Sequence, residues 1–82
     1  MKSNARKAFN ELKKLGCPVE DYWYDDSRGH FWINGEHEDA GEWLDYWSME
    51  LMMGSDQLND ILNSNGLYWE WENSAVGCVH DL

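Results

Sequence analysis

Positive charge is scarce in this chain, and it is confined. Lys2, Arg6, Lys7, Lys13 and Lys14 lie in the first fourteen residues, and Arg28 is the only basic residue after them. The same later stretch carries every acidic residue except Glu11, so residues 15–82 hold fifteen negative charges against one positive. Such a balance argues against direct binding to nucleic acid or anionic lipid, both polyanions. No apolar run approaches the roughly 18 residues of a membrane span, and the N-terminus has no apolar signal-peptide core. The expected location is cytoplasmic. Cysteine occurs twice, at Cys17 and Cys78, without metal-type spacing, and a reducing compartment favours free thiols. Proline occurs once, at Pro18, and neither a repeat nor a low-complexity linker divides the chain.

What remains is short and rich in aromatic residues. Eighty-two residues allow one domain, 1–82, with one core. Six tryptophans and 43% hydrophobic residues give that core its material, since each buried aromatic removes roughly 150–250 Å² from water. The net charge of -10 is therefore carried by a folding chain rather than a disordered one.

Periodicity places the elements. Ala5, Ala8, Phe9, Leu12 and Leu15 recur at helical spacing behind a Ser3 or Asn4 cap, and Gly16 and Pro18 end the helix. Val19 to Asp25 and His30 to Asn34 read as a hairpin about the turn Asp26-Ser27-Arg28-Gly29. Phe31 and Ile33 alternate with His30 and Trp32, so neither strand face is purely polar and both are expected to be partly covered. From Glu38 to about Met53 the spacing predicts a second helix burying Ala40, Trp43, Leu44, Trp47 and Leu51. Ser55 or Asp56 can cap a third helix carrying Leu58, Ile61 and Leu62. After Asn63-Ser64-Asn65-Gly66, Leu67 to Glu72 alternates, and Val76 to Asp81 reads as a last strand. The expected class is α+β, with a small antiparallel sheet of about four strands packed with two to three helices in the order α-β-β-α-α-β-β.

Three groups of residues are candidates for function. On the predicted second helix Glu38, Glu42 and Asp45 share the outer face at i, i+4 and i+7, where neighbours stand roughly 5–6 Å apart. Glu70, Glu72 and Tyr68 share one face of the late strand. Tyr46, Met49, Met52 and Met53 fall outside the apolar stripe, and methionine adapts to irregular contact surfaces. Each has an ordinary alternative: a solvated charged face, or methionines covered by the sheet. The near absence of lysine after position 14 weighs toward function, because a face chosen only for solubility normally mixes signs.

Chemistry-bearing motifs are few. Cys78 and His80 share a strand face, but a zinc site needs about four ligands. There is no phosphate-binding glycine loop and no recognisable nucleophile–base arrangement, so no enzyme activity, metal or cofactor is expected. The leading expectation is a macromolecule-binding protein whose carboxylates take the place of nucleic-acid phosphates on a basic, nucleic-acid-binding partner. In size, charge and aromatic content the chain resembles the acidic DNA-mimic inhibitors of phages and mobile elements that block restriction or CRISPR effectors. That resemblance implies an anti-defence protein. A small homo-oligomeric scaffold, with Tyr46 and the methionines in a homodimer contact, is a second expectation. A sugar-binding module using surplus tryptophans is a third.

Overall fold

The computed structural model describes residues 1–22 and 29–82. Helix α1 spans Ser3–Lys14 and buries Ala5, Ala8, Phe9 and Leu12 of the predicted stripe, whereas Leu15, at its C-cap, is exposed. Its cap is not the expected one: Lys2 occupies the N-cap position, and its side chain does not cap the helix. Gly16 adopts φ +92°, and the chain leaves the helix there. Strands β1 (Val19–Glu20) and β2 (Phe31–Asn34) follow, and β1 is shorter than the alternation suggested. Trp23, Tyr24 and the turn Asp26-Ser27-Arg28 lie outside the described residues. Helix α2 spans Asp56–Ser64, where the Ser55 side chain accepts from the Leu58 backbone N–H. Strands β3 (Leu67–Asn73) and β4 (Val76–Asp81) complete the fold.

The architecture is α+β. All four strands pair antiparallel in the order β1-β2-β4-β3, so two hairpins meet through β2 and β4. Phe31 sits opposite Val79, and Trp69 sits opposite Val79 from the other side. This register lines Phe31, Val79 and Trp69 on one face, toward α1 and α2. There Phe9 meets Phe31 edge-on at 5.3 Å, and Leu12, Leu58, Leu62 and Leu67 close the core. The opposite face carries Glu20, Trp32, Cys78 and Glu70 in one row and His80 and Tyr68 in the next. Trp32 is buried on that side, stacked edge-on against Tyr22 with its indole N–H on the Tyr22 carbonyl. Both sheet faces are therefore partly covered, as the mixed alternation implied. Cys17 and Cys78 are both buried, and burial raises the Cys17 thiol pKa to about 12.

The second predicted helix does not form as an α-helix. Only a 3-10 turn over Ala40–Glu42 appears, and turns carry the chain to Gly54. The cause is local competition for backbone donors. Asp45 Oδ1 takes the Trp47 N–H at 2.9 Å, and Ser48 Oγ takes the Leu51 N–H at 3.3 Å. The Asp45 N–H then reaches across to the Leu51 carbonyl, closing a loop instead of a helical turn. Gly41 adds a weak helix former to the middle of the stretch, and the crowded carboxylates have no lysine or arginine to pair with at i+4. Ala40, Trp43 and Leu44 still reach the core. Trp47 does not, and lies 81% exposed.

Candidate functional site

Loss of the helix disperses the predicted acidic array. Glu38 and Glu42 are exposed and line an open depression of about 390 Å³ together with Asp39 and Leu15. Asp45 is half-buried, and its carboxylate is turned back onto its own loop through the Trp47 N–H. The i, i+4, i+7 spacing of these three residues is therefore not realised in space. What survives is unneutralised charge. Among the described residues Glu36, Glu38, Glu42, Glu50, Asp56 and Asp60 make no ion pair. Two of the basic residues are held elsewhere, Lys2 on Asp81 at 2.9 Å and Arg6 on Asp21 at 3.6 Å.

Loop formation has a different effect on the methionines: it leaves all three exposed and sets Met52 and Met53 together beside β3. Residues 45–54 carry Met49 at 98% exposure, Met53 at 78% and Met52 at 40%, beside Trp47. Tyr46 is half-buried and joins the loop to the sheet. Its ring meets Trp47 at 5.1 Å and Trp71 at 5.4 Å, and Trp71 meets Trp69 at 4.9 Å, all edge-on. Edge-to-face contacts of this kind are worth about 0.5–1.5 kcal/mol each beyond area burial. The result is a continuous aromatic ladder, Trp47-Tyr46-Trp71-Trp69, running from the exposed loop to the core.

Polar contacts fix the loop in place. Trp71 donates its indole N–H to the Met52 carbonyl at 2.7 Å. Asn59 on α2 accepts from the Trp69 indole at 3.1 Å, while its amide donates to the Met53 and Ser55 carbonyls. Two glycines give the Trp69 indole room: a Cβ at Gly54 would fall 2.7 Å from Trp69 Nε1, and one at Gly77 would fall 2.9 Å from Trp69 Cε3. Gly54 also holds φ +82°, which disfavours any side chain there. Met52, Met53, Asn59, Trp69, Glu70 and Trp71 together line a depression of about 450 Å³ along β3.

Late-strand alternation holds as expected. Leu67, Trp69 and Trp71 face the helices, while Tyr68, Glu70 and Glu72 are exposed. Tyr68 lies against the His80 ring at 5.6 Å, and Glu70 Oε1 is 3.4 Å from His80 Nε2. A register shift between Trp71 and Asn73 ends the regular pairing. The structure thus brings Tyr46, Met52, Met53 and Glu70 into one region, and leaves Glu38 and Glu42 in a separate depression. Sequence reasoning missed Trp47, Trp69, Trp71 and Asn59 as parts of this surface. An asparagine in the middle of a short helix was the available signal for Asn59, since that residue type is poor in helix interiors unless its amide has work elsewhere.

Among the described residues no three His, Cys, Asp or Glu side chains come together in a way that would hold a metal ion. No helix among them is long and apolar enough to cross a membrane. No known family model, curated protein or solved structure matches the chain.

Proposed function

We propose that this chain is a macromolecule-binding protein whose target is a basic protein. The surface of Trp47, Met49, Met52 and Met53 makes the contact, and the surrounding carboxylates steer and select the partner. One observation carries this reading: an exposed, clasped aromatic and methionine surface lies in a chain where, among the described residues, Glu36, Glu38, Glu42, Glu50, Asp56 and Asp60 make no ion pair. Apolar patches rimmed by charge mark interaction sites, and tryptophan is enriched among residues that dominate binding energy. An anionic rim speeds encounter with a cationic surface and repels polyanions.

The partner class that best fits is a nucleic-acid-binding protein, whose groove is already built to accept anions. The chain would then act as an inhibitor that competes with phosphates for lysine and arginine, in the manner of anti-restriction or anti-CRISPR proteins. Competition of this kind needs a field of carboxylates rather than a fixed spacing, so the loss of the helical array does not remove it.

Capture from a bacterial lysate at low and high salt tests the reading. A basic nucleic-acid-binding protein should be retained and released by salt, and adding the acidic chain should displace a fluorescent DNA duplex from it. Combined Trp47→Ala and Met53→Glu substitution should abolish capture. Capture unaffected by salt and by those substitutions would sink the proposal.

A further inference from the structure

We infer that strand β3 is a docking edge for an extended segment of the partner, which alternates basic and apolar residues and pairs with β3 as a fifth strand. This inference rests on the proposed binding of a basic partner and assigns how that partner is held. The sheet order β1-β2-β4-β3 leaves β3 at the edge, with no strand beyond it among the described residues. At seven residues, Leu67–Asn73, it is the longest strand, and its sequence LYWEWEN contains no lysine and no proline. Lysine and proline are common means by which edge strands refuse a new neighbour. Half of the backbone N–H and C=O groups of an edge strand point outward, available to an added strand.

The two faces of that edge differ in chemistry, and together they define the occupant. Toward the helices lies the depression of about 450 Å³ floored by Met52, Met53, Trp69 and Trp71, with Asn59 and Glu70 on its rim. On the other face stand Glu70 and Tyr68, both exposed. Side chains of an added strand alternate between these faces. Apolar residues would enter the methionine and tryptophan depression, while the residues between them would stand beside Glu70. Lysine or arginine is the complement to that carboxylate.

Charge weighs against a second copy in the two registers centred on the carboxylate-bearing half of β3. Symmetric antiparallel pairing of two β3 strands centred on Glu70 sets Glu70 against Glu70, and centring on Trp71 sets Glu70 against Glu72. Like charges directly opposite destabilise a pair, and each copy carries a net charge of -10.

A fluorescein-labelled peptide alternating lysine with valine supplies the probe, read by fluorescence anisotropy against the full chain. Two N-methylated forms, one methylated on the lysines and one on the valines, block opposite backbone edges of the same peptide. Edge addition predicts that only one form loses affinity, by about two- to tenfold for each hydrogen bond removed. Glu70→Lys should weaken the parent peptide, and amide shifts in the NMR spectrum should concentrate in residues 67–73. Equal affinity of both methylated forms, or no effect of Glu70→Lys in a variant with unchanged circular dichroism, would overturn the inference while leaving the basic-partner reading intact. Failure of the parent peptide and both methylated forms to bind even at low ionic strength would count against both. Salt-independent self-association that blocks the peptide would assign the edge to a second copy instead.

Discussion

Asp81 collects the two ends of the chain. Its carboxylate accepts from Lys2 Nζ at 2.9 Å through one oxygen and lies 2.9 Å from His30 Nε2 through the other. The hydrogen bond from Lys2, followed by that from His30, holds the Asp81 carboxyl below its ordinary value of 3.8. A carboxyl whose folded pKa is depressed adds stability that is fully present above its unfolded value and is lost as pH falls through the lower folded value. Asp81→Asn should therefore lower Tm near pH 7, and the gap from the parent protein should close at an acid pH below the depressed folded value. The group is exposed, so the effect is modest and salt weakens it. Thermal melts at the two pH values check this. A gap that persists unchanged in acid would mean that Asp81 acts through packing and not through its charge.

At the scale of elements the decisive segment is residues 45–54. It behaves as a clasped loop, and its geometry hangs on the Trp71 indole N–H reaching the Met52 carbonyl. Trp71→Phe keeps most of the ring and removes that donor. The loss should cost about 1 kcal/mol of stability, or roughly 4–8 °C in Tm for a domain of this size. Limited proteolysis should also cut faster between Tyr46 and Gly54, while cleavage near α1 stays unchanged. This loop marks the boundary of what the sequence could convey. The α1 stripe, the Ser55 cap, the late alternation and four antiparallel strands were all legible, because each rests on local periodicity or a single capping residue. Residues 38–53 carried a helical period too, and Ala40, Trp43 and Leu44 are buried as that period required. Beyond Leu44 the period was coincidental. Asp45 and Ser48 divert backbone donors, and tertiary clasps from Trp71 and Asn59 outweigh the remaining helix propensity. The Trp71 clasp joins residues nineteen positions apart, beyond any local window of periodicity, and the Asn59 clasp crosses the break at Gly54 that separates the two elements. The candidate surface was legible as residue types in Tyr46 and the methionines, but its shape depended on β3.

Across the whole molecule, charge segregation opposes self-assembly while it favours a basic partner. Lys2 and Arg6 of α1 are engaged with Asp81 and Asp21, and the Arg6 and Lys13 cationic groups lie 5.2 and 5.7 Å from the Phe9 ring centroid. These cations therefore do little to offset the carboxylates between Glu36 and Asp60, and with a net charge of -10 the folded state carries net self-repulsion. Added salt screens that repulsion over about 10 Å at 0.1 M. Two opposite salt responses follow from one charge pattern. Tm should rise as sodium chloride goes from about 10 to about 500 mM, because repulsion within the chain is screened. Affinity for the basic partner should fall across the same range, because the attraction is screened as well. Light scattering should show a monomer at low salt despite the exposed Trp47 and Met49, since two copies approaching through that surface bring like charge together. A protein merely solubilised by its acidity and assembled through the methionines would do otherwise: it would be a dimer at every salt concentration, and its Tm would depend on protein concentration. Measuring mass and Tm together over that salt series separates the two, because only a charge-steered monomer gains stability under the conditions in which it loses its partner.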